Sequence, residues 1–254
     1  MPDCMTAPHA LQLEGVGRRF GGLQAVKDVT LSIARGDRRA ILGPNGAGKT
    51  TLFNLIAGDY KATSGRVLFF GDDVTYLAPR KRARRGLART YQTALLFQGL
   101  SVVDNLYLAV RGVKPLRMSM LRPGRRDANV AVSHALAERV GLGTVSDALV
   151  GELSHGQQRQ LELGMALASD PRLLMLDEPA AGLSPGERST LTQLLHRLDP
   201  EITVLLIEHD MDVAFAVAQR VTVMHEGRVI ADGSPAQIRE DQTVQAVYLG
   251  EHGG

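Results

Sequence analysis

Nine consecutive residues limit what this chain can fold into more than any others: Gly43, Pro44, Asn45, Gly46, Ala47, Gly48, Lys49, Thr50 and Thr51. They fit the pattern G-x-x-x-x-G-K-[ST], with a second hydroxyl behind it. Arg39 to Leu42 reads as a buried strand leading in, and Thr51 to Ala57 has the apolar spacing of a helix leading out. A loop that wraps a triphosphate needs backbone conformations closed to most side chains, and Gly43, Gly46 and Gly48 allow them. The helix behind the loop presents unpaired N–H groups and the positive end of its dipole. Lys49 is placed to reach the β and γ phosphates, and the Thr50 hydroxyl to ligate Mg²⁺. The expected ligand is therefore ATP or GTP with magnesium. The bare pattern also fits a chance glycine-rich turn, against which the flanking strand and helix argue.

A chain of 254 residues is long enough for one large domain, or one domain with a sub-lobe, around a real core. Its 44% hydrophobic and 22% charged content are ordinary for a globular protein, and a net charge of +2 defines no partner class. Cys4 stands alone and the start lacks the pattern of a secretory signal, so a reducing cytoplasm is the expected compartment. Neither the histidines nor Cys4 show metal-ligand spacing. No stretch approaches the roughly 20 apolar residues that cross a bilayer. Work at a membrane would then be that of a peripheral subunit.

Met1 to Ala10 reads as an untethered start. Leu11 and Leu13, then Val29, Leu31 and Ile33, alternate with polar residues as half-buried antiparallel strands do, giving a small β lobe. Between them Phe20 precedes Gly21-Gly22 in a bend, where its ring either stacks on a base or joins the core. Arg35-Gly36-Asp37 turns into the strand that feeds the phosphate loop, and Arg66 to Phe70 is a further strand. The run Pro79-Arg80-Lys81-Arg82-Ala83-Arg84-Arg85-Gly86 fits a solvated helix face better than a nucleic-acid patch, since only Tyr91 offers a nearby stacking ring. From there to Leu149, apolar spacing at Val130, His134, Leu136 and Val140 marks a helical sub-lobe inserted into an α/β core.

Three further segments bear on chemistry. Ser154 and Gln157 have capping-box spacing, which explains a well-capped helix; with Gly156 the same helix start also makes a second anion site, surplus to one nucleotide. The apolar strand Arg172 to Met175 runs into Leu176-Asp177-Glu178-Pro179, so two carboxylates sit at a strand's C-terminal tip, where α/β folds place their chemistry. Asp177 suits Mg²⁺ held through water, and Glu178 suits deprotonation of an attacking water. The buried strand Ile202 to Ile207 repeats the arrangement, with His209 at its tip near the γ-phosphate position, while His134, His196 and His225 have no such placement. A hairpin around Glu226-Gly227 and two closing helices, from Ser234-Pro235 to Gly250, complete the chain.

In this order the motifs resemble the ATP-binding subunit of ABC transporters over nearly the whole length: α/β, with a P-loop NTPase core, an N-terminal antiparallel β lobe and an inserted helical subdomain at about 93–165 of a single 1–254 domain. The resemblance implies that Phe20 stacks on adenine, that Gly43 to Thr51 is the Walker A loop and that Gln92 is the Q-loop glutamine, at the magnesium and the attacking water. It implies that Ser154, Gly156 and Gln157 belong to the signature motif, closing over ATP held by a second subunit. Asp177 is then the Walker B aspartate, Glu178 the catalytic glutamate, Ala181 to Ser184 the D-loop and His209 the switch histidine. Leu153 to Arg159, Pro179 to Pro185, Ile207 to Met211 and the ending Val247-Tyr248-Leu249-Gly250 are similar to the bacterial branch that imports branched-chain amino acids, related amides and urea. His155 stands where the family pattern has glycine, and the D-loop ends Gly-Leu-Ser. The implied partners are integral-membrane permease subunits, a second ATP-binding subunit that is identical or homologous, and indirectly an external substrate-binding protein. The implied place is the cytoplasmic face of the bacterial inner membrane. A soluble ATP-driven clamp on nucleic acid or the ribosome is the alternative, but such relatives carry two cassettes or long coiled coils, and no sustained heptads occur here. A GTPase lacks its Asn-Lys-x-Asp sequence, and a small-molecule kinase leaves Leu153 to Gln158 without a job.

Overall fold

The computed structural model of the chain describes residues 9–90, 96–112 and 128–250. Strands β1 (His9–Phe20) and β2 (Leu23–Ala34) pair antiparallel, so the first strand starts inside the segment expected to be untethered. They are followed by β3 (Arg38–Leu42), α1 (Lys49–Ala57), β4 (Ser64–Phe69), β5 (Asp72–Asp73), α2 (Pro79–Ala83) and β6 (Leu87–Arg89). Helices α3 (Val102–Gly112), α4 (Ala128–Arg139) and α5 (His155–Leu167) come next. The second half runs β7 (Leu173–Asp177), α6 (Pro185–His196), β8 (Thr203–Ile207), α7 (Met211–Val217), β9 (Arg220–His225), β10 (Arg228–Gly233), α8 (Pro235–Glu240) and α9 (Gln242–Gly250).

Two sheets result. The antiparallel one has the order β2-β1-β4-β5, and the larger one β10-β9-β3-β8-β7-β6, parallel from β9 to β6 with β10 antiparallel at its edge. Residues of β3, β7 and β8 alternate between two cores. Ala40, Leu42, Leu174, Leu176, Val204 and Leu206 pack toward the helices. Ile41, Leu173, Met175, Leu205 and Ile207 pack toward the antiparallel sheet and α1. Both faces are covered, which is why these strands read as unbroken apolar runs. Val102, Leu106 and Val110 of α3 join Leu136 and Ala137 of α4 and Leu161 of α5 in the helix-side core. On α4 the buried stripe is Ser133, Leu136 and Ala137, leading to Val140; Leu136 and Val140 are buried as expected, whereas His134 is exposed and Ser133 takes the inward position.

The basic run departs further from expectation. Arg82 is fully buried, and its guanidinium donates to the carbonyls of Leu55 (2.7 Å), Ile56 (2.6 Å), Thr75 (3.0 Å) and Leu77 (3.0 Å). Leu55 and Ile56 lie in the last turn of α1, whose carbonyls lack helical partners and carry the negative end of the dipole. One cation of the run therefore caps the phosphate-loop helix from behind, while Arg80, Lys81 and Arg84 are exposed.

Candidate functional site

At the C-terminal ends of β3 and β7 lies an open cleft of about 610 Å³, lined by Asn45, Gly46, Gly48, Lys49, Thr50 and Glu178 among others. Its floor is the turn from β3 into α1. Gly43 has φ 148° and Gly48 φ 97°, and a Cβ at either would lie 2.1 Å from the Met224 carbonyl oxygen or 2.4 Å from that of Ala25. Only glycine fits both positions. Gly48 is the N-cap of α1 and supplies no side chain, so the helix's first N–H groups are left for a ligand. The buried Lys49 ammonium donates to the Gly43 carbonyl and, at 2.9 Å, to that of Pro44. A phosphate offers it a stronger, charge-assisted acceptor. Ala47, Thr50 and Thr51 also line the cleft, and Pro44 is buried behind the loop.

The hairpin between β9 and β10 braces this loop, a contact that its sequence spacing did not announce. The Gly227 N–H donates to the Ala47 carbonyl at 2.9 Å, and the Gly227 carbonyl accepts from Lys27 of β2 at 2.7 Å.

Asp177 ends β7 almost completely buried, at 3% exposure. Its Oδ2 accepts from Arg89 Nη2 at 2.9 Å, and its Oδ1 is buried with no hydrogen-bond partner. An unpartnered carboxylate oxygen in an interior costs free energy unless something positive approaches it. Thr50 lines the cleft and Asp177 directly precedes Glu178, which lines it too; a hydroxyl and a carboxylate of this kind suit a hard divalent cation that keeps several waters, and the residues fit magnesium. Glu178 follows with φ 48°, a left-handed backbone unusual for a non-glycine, while its N–H donates to the Ile207 carbonyl at 3.0 Å. That bend turns its half-buried carboxylate into the cleft, where Oε2 lies 3.7 Å from His209 Nδ1. His209 itself is 56% exposed. Beneath this pair lies Glu208, 1% exposed, with Oε1 accepting from the Ala180 N–H at 3.0 Å. Burial pushes its carboxyl up to about 7, the Ala180 bond opposing and the neighbouring Glu178 charge adding.

Helix α5 begins outside this cleft. Ser154 caps it: Ser154 Oγ accepts from the Gln157 N–H and Gln157 Oε1 from the Ser154 N–H, the expected reciprocal box. The anion position beside it holds a carboxylate of the same chain. Glu187 Oε1 accepts from Ser154 Oγ at 3.0 Å and from the Gly156 N–H at 2.9 Å, while Oε2 accepts from the Ser184 hydroxyl and N–H. The Ser184 hydroxyl first, then the Ser184 and Gly156 N–H groups and the Ser154 hydroxyl, hold the Glu187 carboxyl down at about 2. His155 takes the first helical position without positive φ, its Nε2 3.4 Å from the Ala181 carbonyl oxygen. A glycine-only backbone is not used there.

Phe20 is not brought into the cleft. Its ring face is covered by the Arg18 guanidinium at 4.5 Å and its edge meets Tyr60, whereas Leu23 and Gln24 line the opening. Gln92 lies outside the described residues. Among the described residues no helix is long and apolar enough to cross a membrane.

Comparison with known proteins agrees with this geometry. A profile of the ABC transporter family matches residues 26–181, and one described as branched-chain amino acid ATP-binding cassette transporter matches residues 228–253. The chain is 40% identical over 252 residues to the high-affinity branched-chain amino acid transport ATP-binding protein BraF of Pseudomonas aeruginosa, covering 95% of this chain and 98% of BraF. To LivG of Escherichia coli K12, which carries the same description, it is 38% identical, covering 95% and 98%. It superposes on the ADP conformation of an ATP-binding cassette of an ABC transporter with a TM-score of 0.85 and 31% identity, covering 95% of this chain and 99% of that one.

Proposed function

The chain belongs to the ABC transporter family as an ATP-hydrolysing subunit, and from that premise we propose that it powers a membrane permease importing branched-chain amino acids, related amides or urea. The short C-terminal match and the two named relatives support the branch. The proposed assembly has two such cassettes, identical or homologous, on permease subunits at the cytoplasmic face of the bacterial inner membrane, with an external binding protein delivering substrate. The observation that carries the reading is the pairing of a phosphate-loop cleft, with Glu178 on its wall, and a second helix N-terminus outside that cleft that already binds an anion.

In this reading Lys49 and the first N–H groups of α1 bind the β and γ phosphates of ATP. Asp177, through its unpartnered Oδ1, and the Thr50 hydroxyl would hold magnesium, which neutralises phosphate charge. Gln92 serves the same metal and the attacking water. Glu178 accepts the water's proton as its oxygen bonds to the γ phosphorus and the bond to the ADP oxygen breaks. His209 orients Glu178 and contacts the γ-phosphate. Ser154, Gly156 and Gln157 of one chain meet the γ-phosphate held by the other, and Phe20 reaches the adenine once Arg18 leaves its ring. Nucleic-acid binding loses support from the burial of Arg82 within the basic run.

The test is reconstitution with permease subunits of a branched-chain amino acid uptake system from the same organism, in vesicles holding ATP. Uptake of labelled leucine that needs ATP and disappears in Lys49→Ala is expected. ATP-dependent uptake of none of the three substrate classes, by vesicles whose cassette still hydrolyses ATP, contradicts the substrate branch.

A further inference from the structure

Arg89 ends β6, the edge strand beside β7, with its side chain only 6% exposed. Its guanidinium joins three elements. Nη2 donates to Asp177 Oδ2 at 2.9 Å, and Nη1 donates to Asn54 Oδ1 at 2.6 Å and to Asp59 Oδ2 at 2.9 Å. Asn54 lies on α1, the helix whose first turn carries Lys49 and Thr50. The planar fork thus ties the carboxylate at the tip of β7 to the helix that holds the phosphate loop, a bridge that the shorter, single-headed lysine does not span.

The consequence for Asp177 follows from its two oxygens. A carboxylate torsion is broad and roughly two-fold, so an untethered aspartate presents either oxygen over a range of directions. Here Oδ2 is pinned, and Oδ1 is left buried and unpartnered. Because the same guanidinium grips Asn54, the separation between the Asp177 carboxylate and α1 is fixed as well. We propose that Arg89 is a positioning residue for ATP hydrolysis, locking Asp177 and α1 together so that one carboxylate oxygen and the Thr50 hydroxyl are presented jointly to a nucleotide-bound magnesium ion. This rests on the reading of Asp177 as the magnesium carboxylate.

Groups that orient a metal's ligands typically change metal affinity or activity 10- to 100-fold when removed. The measurement is calorimetric titration of Mg²⁺ into protein saturated with a non-hydrolysable ATP analogue, beside analogue binding in EDTA, kcat and KM, and a circular dichroism melt. Arg89→Leu should raise the Mg²⁺ concentration at half-saturation by roughly 10- to 100-fold, lower kcat more than it raises KM for ATP, and leave analogue binding in EDTA unchanged. Arg89→Lys, reaching one side of the bridge, should fall between Leu and wild type. Should Arg89→Leu not fold, Asn54→Ala combined with Asp59→Asn cuts the α1 side while sparing the Asp177 bond, and should still weaken Mg²⁺ binding several-fold. Asp177→Asn separates the two claims. If Asp177→Asn loses Mg²⁺ binding while a folded Arg89→Leu, or the double variant in its place, keeps the wild-type titration, the positioning role is overturned and the Asp177 reading stands. If Asp177→Asn itself titrates like wild type, the reading beneath the proposal fails with it.

Discussion

Replacing Arg82 by leucine isolates a single buried cation on which the phosphate-loop helix depends. The guanidinium is fully buried and donates to four backbone carbonyls, two of them in the last turn of α1. Burial lowers its pKa to about 10, so it is charged at neutral pH. Leucine fills much of the volume but offers no donor. A buried acceptor left without a partner costs about 1–3 kcal/mol, giving roughly 4–12 kcal/mol for the four. Against this stands the desolvation of the guanidinium, several kcal/mol that the variant no longer incurs. The net loss should be about 3–5 kcal/mol, a large part of the 5–15 kcal/mol that holds a typical domain folded. At roughly 2–4 °C per kcal/mol for a chain of this size, Tm should fall by about 6–20 °C. Urea and thermal unfolding followed by circular dichroism measure this directly, with Arg82→Lys expected between the two. A leucine variant melting within about 2 °C of wild type refutes the reasoning.

Two further outcomes follow from the carboxylates around the site. Burial raises Glu208 to about 7 from the ordinary carboxyl range, so between about pH 4.5 and 7 the folded chain binds more protons than the unfolded one and stability falls as pH rises through that window. Glu208→Gln should flatten the fall, by roughly 2–3 kcal/mol between pH 5 and pH 8, and an unfolding free energy that drops equally from pH 5 to pH 8 in both proteins contradicts this. Glu187→Gln weakens the acceptor that now occupies Ser154 and Gly156, so ATP-driven pairing of cassettes should need less ATP; sedimentation velocity across an ATP series checks it, and an unchanged midpoint counts against competition at that site.

Much of the frame was legible because it is local. The strand before Gly43 and the helix after it, the alternation in β1 and β2, the box at Ser154 and the helix start at Ser234 depend on residues within a few positions of one another. What escaped is long-range and polar. Arg82 sits in a run of cations, and charge runs read as solvated unless the carbonyls that capture one member are known; those belong to α1 and the turn after β5. Glu187 forms a local box with Ser184, but its hold on Ser154 and Gly156 was silent because those partners precede β7 and α6 altogether. Arg89 carried no signal of its own, since its three acceptors come from α1, the loop after it and β7. Phe20 left stacking and core open in the sequence, and Arg18, two residues earlier on β1, covers its ring.

The central claim is that one ATP is held by two chains, and the composition of the complex formed on ATP tests it most directly. Glu178→Gln keeps the shape of the site and removes the base, slowing hydrolysis by roughly 10² to 10⁴. Size exclusion with light scattering should then find a dimer in ATP, with itself or with the homologous cassette, and a monomer in ADP. Adding Ser154→Arg places a bulky side chain at the start of α5 and should abolish the dimer while ATP still binds the single chain. A Glu178→Gln protein that stays monomeric in ATP with the partner cassette present, or a dimer untouched by Ser154→Arg, contradicts the shared site.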